Sequence, residues 1–337
     1  MGRWSRREAV AGLLAAGVAT GVRAAPHNGD RFARLKSQFA DLQLSALIVS
    51  RNGRRVYAQG NLSKPYLMHS MRKSIVNLLI GISVDKKEID LNATLESLKL
   101  DDNPPLTDIE KTATVRDLLK ARSGIYIPAA AEAPGMKARR PARGSHAPDT
   151  FWYYNNWDFN ALGRIYEGLT GKSVFIALDH YLAKPLGFQD WHIFDDTYYD
   201  YEGGASEFPA YSFQLSARDL ERVGSMLAND GRWNGQQIVS PSWIAESTQA
   251  YSRTNYKGAL SGYGYLWWIA ADDSEAAPIP KDAFTAAGAG GHYMTVIPSL
   301  KLVSVVRVDT FDPNIHSKVY DTDTFNGLLR DIIAAAA

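Results

Sequence analysis

Met68-His69-Ser70-Met71-Arg72-Lys73-Ser74-Ile75-Val76-Asn77-Leu78-Leu79-Ile80-Gly81 is the stretch on which the fold turns. Its apolar spacing predicts a helix over 70–84 with Ser70 at its start. Ser70 and Lys73 are three apart, which puts both side chains on one face, one turn apart and within hydrogen-bond reach. A helix N-terminus adds unpaired N–H groups and a positive dipole end, which favour an oxyanion there and disfavour a protonated lysine. A neutral Lys73 can then take the Ser70 proton. The Ser-x-x-Lys pattern recurs at Ser83-Val84-Asp85-Lys86, where the helix runs out into polar residues; that copy reads as solvated surface.

A second element lies about 80 residues on. Thr150-Phe151-Trp152-Tyr153-Tyr154-Asn155-Asn156 precedes the helical run Trp157-Asp158-Phe159-Asn160-Ala161-Leu162-Gly163, so a Tyr and an Asn stand two apart just ahead of a helix. A phenol beside an amine can act as a second proton shuttle, and an Asn amide can hold a substrate carbonyl. Two registers fit, Tyr153/Asn155 and Tyr154/Asn156. Trp152, Tyr153 and Trp157 are candidates for walls of a substrate pocket, in competition with ordinary core packing.

Other chemistries fall away. The chain has no cysteine, which excludes disulfides, a thiolate nucleophile and thiolate-bound zinc. Its seven histidines show no metal-ligand spacing, so no metal or cofactor is expected. There is no Gly-x-Ser-x-Gly elbow. Gly171-Lys172-Ser173 resembles the end of a phosphate-binding loop, but Tyr166 stands where that motif needs glycine; Gly171 reads instead as a helix cap.

With 337 residues, 45% hydrophobic and 22% charged, the composition is that of a globular protein larger than one small domain. A net charge of +1 provides no field for binding nucleic acid. Residues 1–24 carry Arg6-Arg7 ahead of an Ala/Gly-rich apolar run too short to span a bilayer, closing on Val22-Arg23-Ala24. This reads as a twin-arginine signal peptide cut near Ala24, with export to a bacterial periplasm and no stable membrane span afterwards. Its loss removes Arg3, Arg6, Arg7, Arg23 and Glu8, turning the net charge from +1 to −2.

Further along, 31–42 reads as a helix, and 44–50 with 54–59 as a β-hairpin about Asn52-Gly53. Residues 292–297 and 301–308 form a second hairpin, followed by a terminal helix over 325–337. Between them helical periods dominate, at 114–121, 159–169, 174–186, 215–229 and 242–248. A sheet built from the two chain ends with helices between fits this order. Segment 128–150, rich in Pro, Ala and Arg, has no period and reads as a surface loop.

With Ser70/Lys73 and the Tyr-x-Asn element in this order, the chain resembles the serine β-lactamase and penicillin-binding-protein superfamily, in its class C, esterase and 6-aminohexanoate-dimer-hydrolase branch. The resemblance runs from roughly residue 38 to 335. It includes Thr114 to Leu119 with Ser123-Gly124, Pro185 to Phe188, Ser216 to Leu220, Gly231 to Gly235, Tyr263-Gly264-Tyr265 and Gly288 to Gly291. It implies an α/β (α+β) fold, an antiparallel sheet flanked by N- and C-terminal helices. Residues 31–84 and 205–337 would form that lobe and 85–204 a mainly helical one. Spacing to Phe159 and Leu162-Gly163 matches the family from Tyr154, which selects Tyr154 and Asn156.

The implied activity is hydrolysis of a small ester or amide through an acyl-enzyme on Ser70, with Lys73 and Tyr154 moving protons. The N–H groups of Ser70 and Ala289 would form the oxyanion hole, and Asn156, Gly288 and His292 would line the substrate site. β-Lactamase or D-alanyl-D-alanine carboxypeptidase activity is the alternative within the family, and ligand capture without turnover the alternative outside it. One family feature is missing. Where a Lys or His normally opens the third motif, this chain has Ala286-Ala287-Gly288, which counts against recognition of a substrate carboxylate there. Arg72 is expected to point away from Lys73, and His292, Arg139, Arg140 and Arg143 to reach the cleft only if their loops fold over it.

Overall fold

The computed structural model describes residues 31–272 and 279–337; the twin-arginine segment lies outside them. The chain begins with α1 (Ala33–Asp41), the hairpin β1 (Ala46–Arg51) and β2 (Arg54–Gly60), β3 (Tyr66–Leu67) and α2 (Met71–Asp85). Next come α3 (Val115–Leu119), α4 (Pro134–Arg139), α5 (Asn156–Thr170), α6 (Val174–Leu178) and α7 (Lys184–Leu186), the last two joined by a π turn. β4 (Thr197–Asp200), β5 (Ala210–Leu215), α8 (Ala217–Leu227), the small hairpin β6 (Arg232–Trp233) and β7 (Gln236–Gln237), and α9 (Pro241–Ser247) follow. The last third holds β8 (Ser252–Arg253), β9 (Gly262–Tyr263), β10 (Trp268–Ile269), β11 (Phe284–Gly288), β12 (His292–Ile297), β13 (Leu302–Arg307) and α10 (Thr322–Ala336).

The main sheet has the order β2-β1-β13-β12-β11-β10-β9-β8, antiparallel throughout. The two chain ends meet at its heart, with Ala46 opposite Arg307 and Arg51 opposite Leu302. β12 and β13 are buried at every residue, which is why they read as apolar runs: both faces of the sheet are covered. On one face α8 comes so close that a Cβ on Gly224 would stand 2.4 Å from Val303 Cγ1. On the other, Phe325 of α10 stacks on Tyr293 at 3.6 Å. Val303 pairs with Val296 and Tyr293 with Val306, so strand alternation puts these two contacts on opposite sides.

Helix α2 is buried on every side from Met71 to Ser83, the signature of a central helix. Its polar side chains away from the N-terminus are spent on packing. Ser74 Oγ donates to Leu266 O at 2.7 Å, and Asn77 Oδ1 accepts from Trp243 Nε1 and Trp267 Nε1 at 3.2 and 3.0 Å. Ser83, the serine of the second Ser-x-x-Lys match, is itself buried and donates to Glu88 Oε2 at 2.8 Å, so it belongs to the helix end and not to solvated surface.

Two further differences from the sequence reading have simple causes. The sheet extends through four strands at 252–288, three of them two residues long, too short for alternation to register. Segment 128–150 contains α4, which starts at Pro134 in the N1 position and buries no residue, so it has no apolar face to read. Gly171 ends α5 in the left-handed region, φ 67°, as a helix cap does. Among the described residues no helix is long and apolar enough to cross a membrane.

Candidate active site

Ser70 sits at the junction of β3 and α2, and three features hold it there. His69, immediately before it, adopts φ 46°, a strained setting for a non-glycine residue that turns the chain sharply from strand into helix. Arg307, fully buried on β13, donates from NH2 to the carbonyls of Tyr66 and Leu67 at 2.8 and 3.0 Å and points NH1 at Met68 Sδ and Met71 Sδ. Gly288, at the end of β11, lies so close that a Cβ would stand 2.8 Å from Met68 O and 3.2 Å from Met71 Cγ. Only glycine lets the strand end approach the serine turn this closely, and that approach brings Ala289, just beyond it, to the same cleft as Ser70.

Lys73 lies one turn into α2, 2% exposed. Its Nζ is 3.1 Å from Ser70 Oγ, 2.8 Å from Tyr154 OH and 2.8 Å from Asn156 Oδ1. Burial, and then the Arg72 guanidinium beside it, hold its pKa well below the ordinary lysine value of 10.5. The amide of Asn156 donates from Nδ2 to Ala131 O at 2.7 Å, so its oxygen faces Lys73 and can only accept. A neutral amine has two N–H groups and one lone pair. It gives one N–H to Asn156 and one to a hydroxyl oxygen, which leaves the lone pair for the remaining O–H.

Tyr154 is held flat against Trp268 of β10, with ring centroids 5.3 Å apart, and tilted against Phe159 at 4.9 Å. Burial pushes its phenol up to about 12, partly offset by Ser70 and Arg72, so it stays protonated near neutral pH. The turn carrying it is anchored by Asp158. That buried carboxylate accepts from Ser123 Oγ and Asn155 Nδ2, while Tyr153 N–H donates to Ala121 O at 3.1 Å.

These elements line a cleft of about 1040 Å³. Of the residues singled out in the sequence, Ser70, Lys73, Trp152, Tyr153, Tyr154, Asn156, Gly288 and Ala289 line it. Tyr153 does so with its hydroxyl committed to Met136 O at 2.9 Å, so of the two registers it is Tyr154 that faces Lys73. Trp157 is not a wall. It is fully buried, donates from Nε1 to Asp102 Oδ2 at 2.7 Å and packs on Phe208. His292 is not in the cleft either: its ring is buried beneath Gly288, 5.1 Å from the His69 ring. Asn156 holds Lys73 with the oxygen that was expected to be a substrate contact.

Arg72, expected to point away from Lys73, turns to Asn160 Oδ1 and the ring of Tyr211. It is 4% exposed and contributes to the cleft. Arg139, on α4, reaches the rim, whereas Arg140 is paired with Glu132 and Arg143 with Glu110. Sequence reading missed Arg307, although an arginine in the apolar run Leu302-Val303-Ser304-Val305-Val306-Arg307 signalled a buried charge with a task. Among the described residues no group of three or more His, Asp and Glu side chains is placed to hold a metal ion.

A serine–lysine–tyrosine cluster lining a cleft between a helical layer and an antiparallel sheet built from the chain ends defines an architecture shared with serine hydrolases of the penicillin-recognising type. Comparison with known families agrees: residues 32–328 match the Beta-lactamase family, to which the chain belongs. No curated protein matches it by sequence. Among solved structures it is similar to a Bacillus anthracis protein described as a 6-aminohexanoate-dimer hydrolase, at 21% identity and TM-score 0.66 over 89% of this chain and 81% of that one. It is also similar to a family VIII carboxylesterase, at 19% identity and TM-score 0.65 over 92% and 97%. A Bacteroides dorei protein described as a beta-lactamase matches at 16% identity and TM-score 0.67 over 90% and 98%. At these identities the likeness is one of fold.

Proposed function

We propose that the protein is an exported serine hydrolase that cleaves a small ester or amide through an acyl-enzyme on Ser70. The observation that carries this reading is the position of Lys73 Nζ, within hydrogen-bond distance of both Ser70 Oγ and Tyr154 OH and in surroundings that favour the neutral amine. Ser70 Oγ attacks the substrate carbonyl as its proton passes to Lys73. The N–H groups of Ser70 and Ala289 receive the developing oxyanion. Tyr154 hands its proton to the leaving oxygen or nitrogen and is reprotonated through Lys73. In the second half a water gives up its proton along the same path reversed, attacks the acyl carbon, and Ser70 leaves with a proton.

Two observations favour an ester or amide over a β-lactam. Ala286 supplies no cation on β11, and the aromatic walls at Trp152, Tyr153 and Trp268 suit an apolar substrate body. Similar structures described as a family VIII carboxylesterase and as a 6-aminohexanoate-dimer hydrolase support keeping both substrate classes in the reading. Export rests on residues 1–24 and would place the enzyme in the periplasm. Stopped-flow kinetics with p-nitrophenyl butyrate tests the reading. A burst of one equivalent followed by steady turnover is expected; one equivalent and no turnover would identify a capture protein instead.

A further inference from the structure

Helix α2 has no outward face near Ser70, so a cation at position 72 must enter the core or the cleft. Arg72 does the latter at 4% exposure. Its guanidinium lies 4.8 Å over the ring of Tyr211 on β5, and its NH2 group meets one acceptor, Asn160 Oδ1 of α5, at a long 3.4 Å. No carboxylate among the described residues bonds it, and its other N–H groups are neither bonded to protein nor sealed from solvent. A charge held out of water without a counter-ion is costly, and an arginine that lines a substrate cleft with donors to spare is chemically matched to a carboxylate.

The other cations of the cleft are engaged or exposed. Arg122 is paired with Asp149, Arg253 donates to Ala271 O, and Arg139 stands in solvent on α4. The leaving group must lie by Tyr154 OH, whose ring is packed on β10. Arg72 instead lies over Tyr211 of β5, in the separate sheet whose Leu67 and Ser212 also line the cleft, so an acyl substituent directed away from Tyr154 and β10 has that sheet to run toward.

We propose that Arg72 is an anion-binding residue on the acyl side of the cleft, and that the acyl groups hydrolysed carry a terminal carboxylate, as half-esters or half-amides of dicarboxylic acids do. The cation absent from β11 is thus not restored but supplied from a different wall. This deepens the hydrolase reading above and rests on it.

The test compares kcat/KM for mono-p-nitrophenyl adipate with that for p-nitrophenyl methyl adipate, which has the same length and no charge. In the wild-type protein the acid is expected to be favoured roughly ten- to a hundredfold. The preference should collapse toward unity in Arg72→Gln and largely survive in Arg72→Lys. The ratio is read within each variant, so any effect of Arg72 on Lys73 cancels. A wild-type ratio at or below one, or an unchanged ratio in Arg72→Gln, overturns the proposal. Calorimetric binding of both esters to Ser70→Ala separates the two claims. If neither ester is turned over but the acid still binds tighter, the hydrolase reading fails and the anion site stands. Equal binding of the two removes the anion site.

Discussion

Replacing Tyr154 by Phe and Lys73 by Met, singly and together, asks whether the two residues form one proton path. Tyr154→Phe leaves the ring stacked on Trp268 and Phe159 and deletes only the hydroxyl 2.8 Å from Lys73 Nζ. Lys73→Met keeps the volume of a buried side chain and removes the amine 3.1 Å from Ser70 Oγ. A positioned acid or base contributes about 10²- to 10⁴-fold, equivalent to roughly 3–5 kcal/mol of transition-state stabilisation. Each single change should therefore lower kcat by that factor with little change in KM. Nζ touches both hydroxyls, so a proton interrupted at either point is interrupted for both, and the double variant should be about as slow as the worse single one. Independent action would instead multiply the losses to about 10⁴- to 10⁸-fold. The assay is p-nitrophenyl butyrate turnover, with the melting temperature of each variant as the folding control. Multiplicative losses in folded variants would refute the shared path and return Tyr154 to a packing role.

Two other outcomes follow from the site's charges. Because Ala286 gives β11 no cation, nitrocefin should be disfavoured against a short p-nitrophenyl ester by about ten- to a hundredfold relative to a family member with lysine there; an equal preference would mean that the carboxylate beside the lactam finds another partner. His292, mainly through burial and then through Arg307, is held well below its ordinary 6.5, and His69 is lowered to about 4 for the same reasons. Below pH 6.5 the unfolded chain takes up protons that the folded one refuses, so stability is lost as pH falls, by up to about 1.4 kcal/mol per pH unit for each histidine. Melting temperatures at pH 7.5, 6.0 and 5.0 should fall less steeply in His292→Asn than in the wild type, and parallel curves would contradict the assignment.

The parts of the fold that could be read from sequence are those with a long period. The hairpins at 46–60 and 292–307, α2, α5, α8 and α10 each bury a regular stripe or run, and the apolar ends of the chain announced a shared sheet. Strands β8 to β10 were illegible because two residues carry no alternation. In the site, Ser70, Lys73 and the Tyr-x-Asn turn were legible because their chemistry is local to one helix turn and one cap. Direction was harder than identity. Trp157 is one residue from Asn156, yet the first turn of α5 aims it at Asp102. His292 pairs with Gly288 across a hairpin but turns under it. Arg72, expected to point away from Lys73, turns to Asn160 and Tyr211, but the burial of α2 on all sides still leaves it lining the cleft.

The central claim is that Ser70 alone is the nucleophile, since among the described serines it is the one whose Oγ is met by a lysine amine at a helix N-terminus. Treating the folded protein with a fluorophosphonate and mapping the labelled peptide by mass spectrometry tests this most directly. The account predicts one label per chain, on Ser70, absent from Ser70→Ala and slowed in Lys73→Met. A label on Ser83 or another serine, or full turnover by Ser70→Ala, would contradict it.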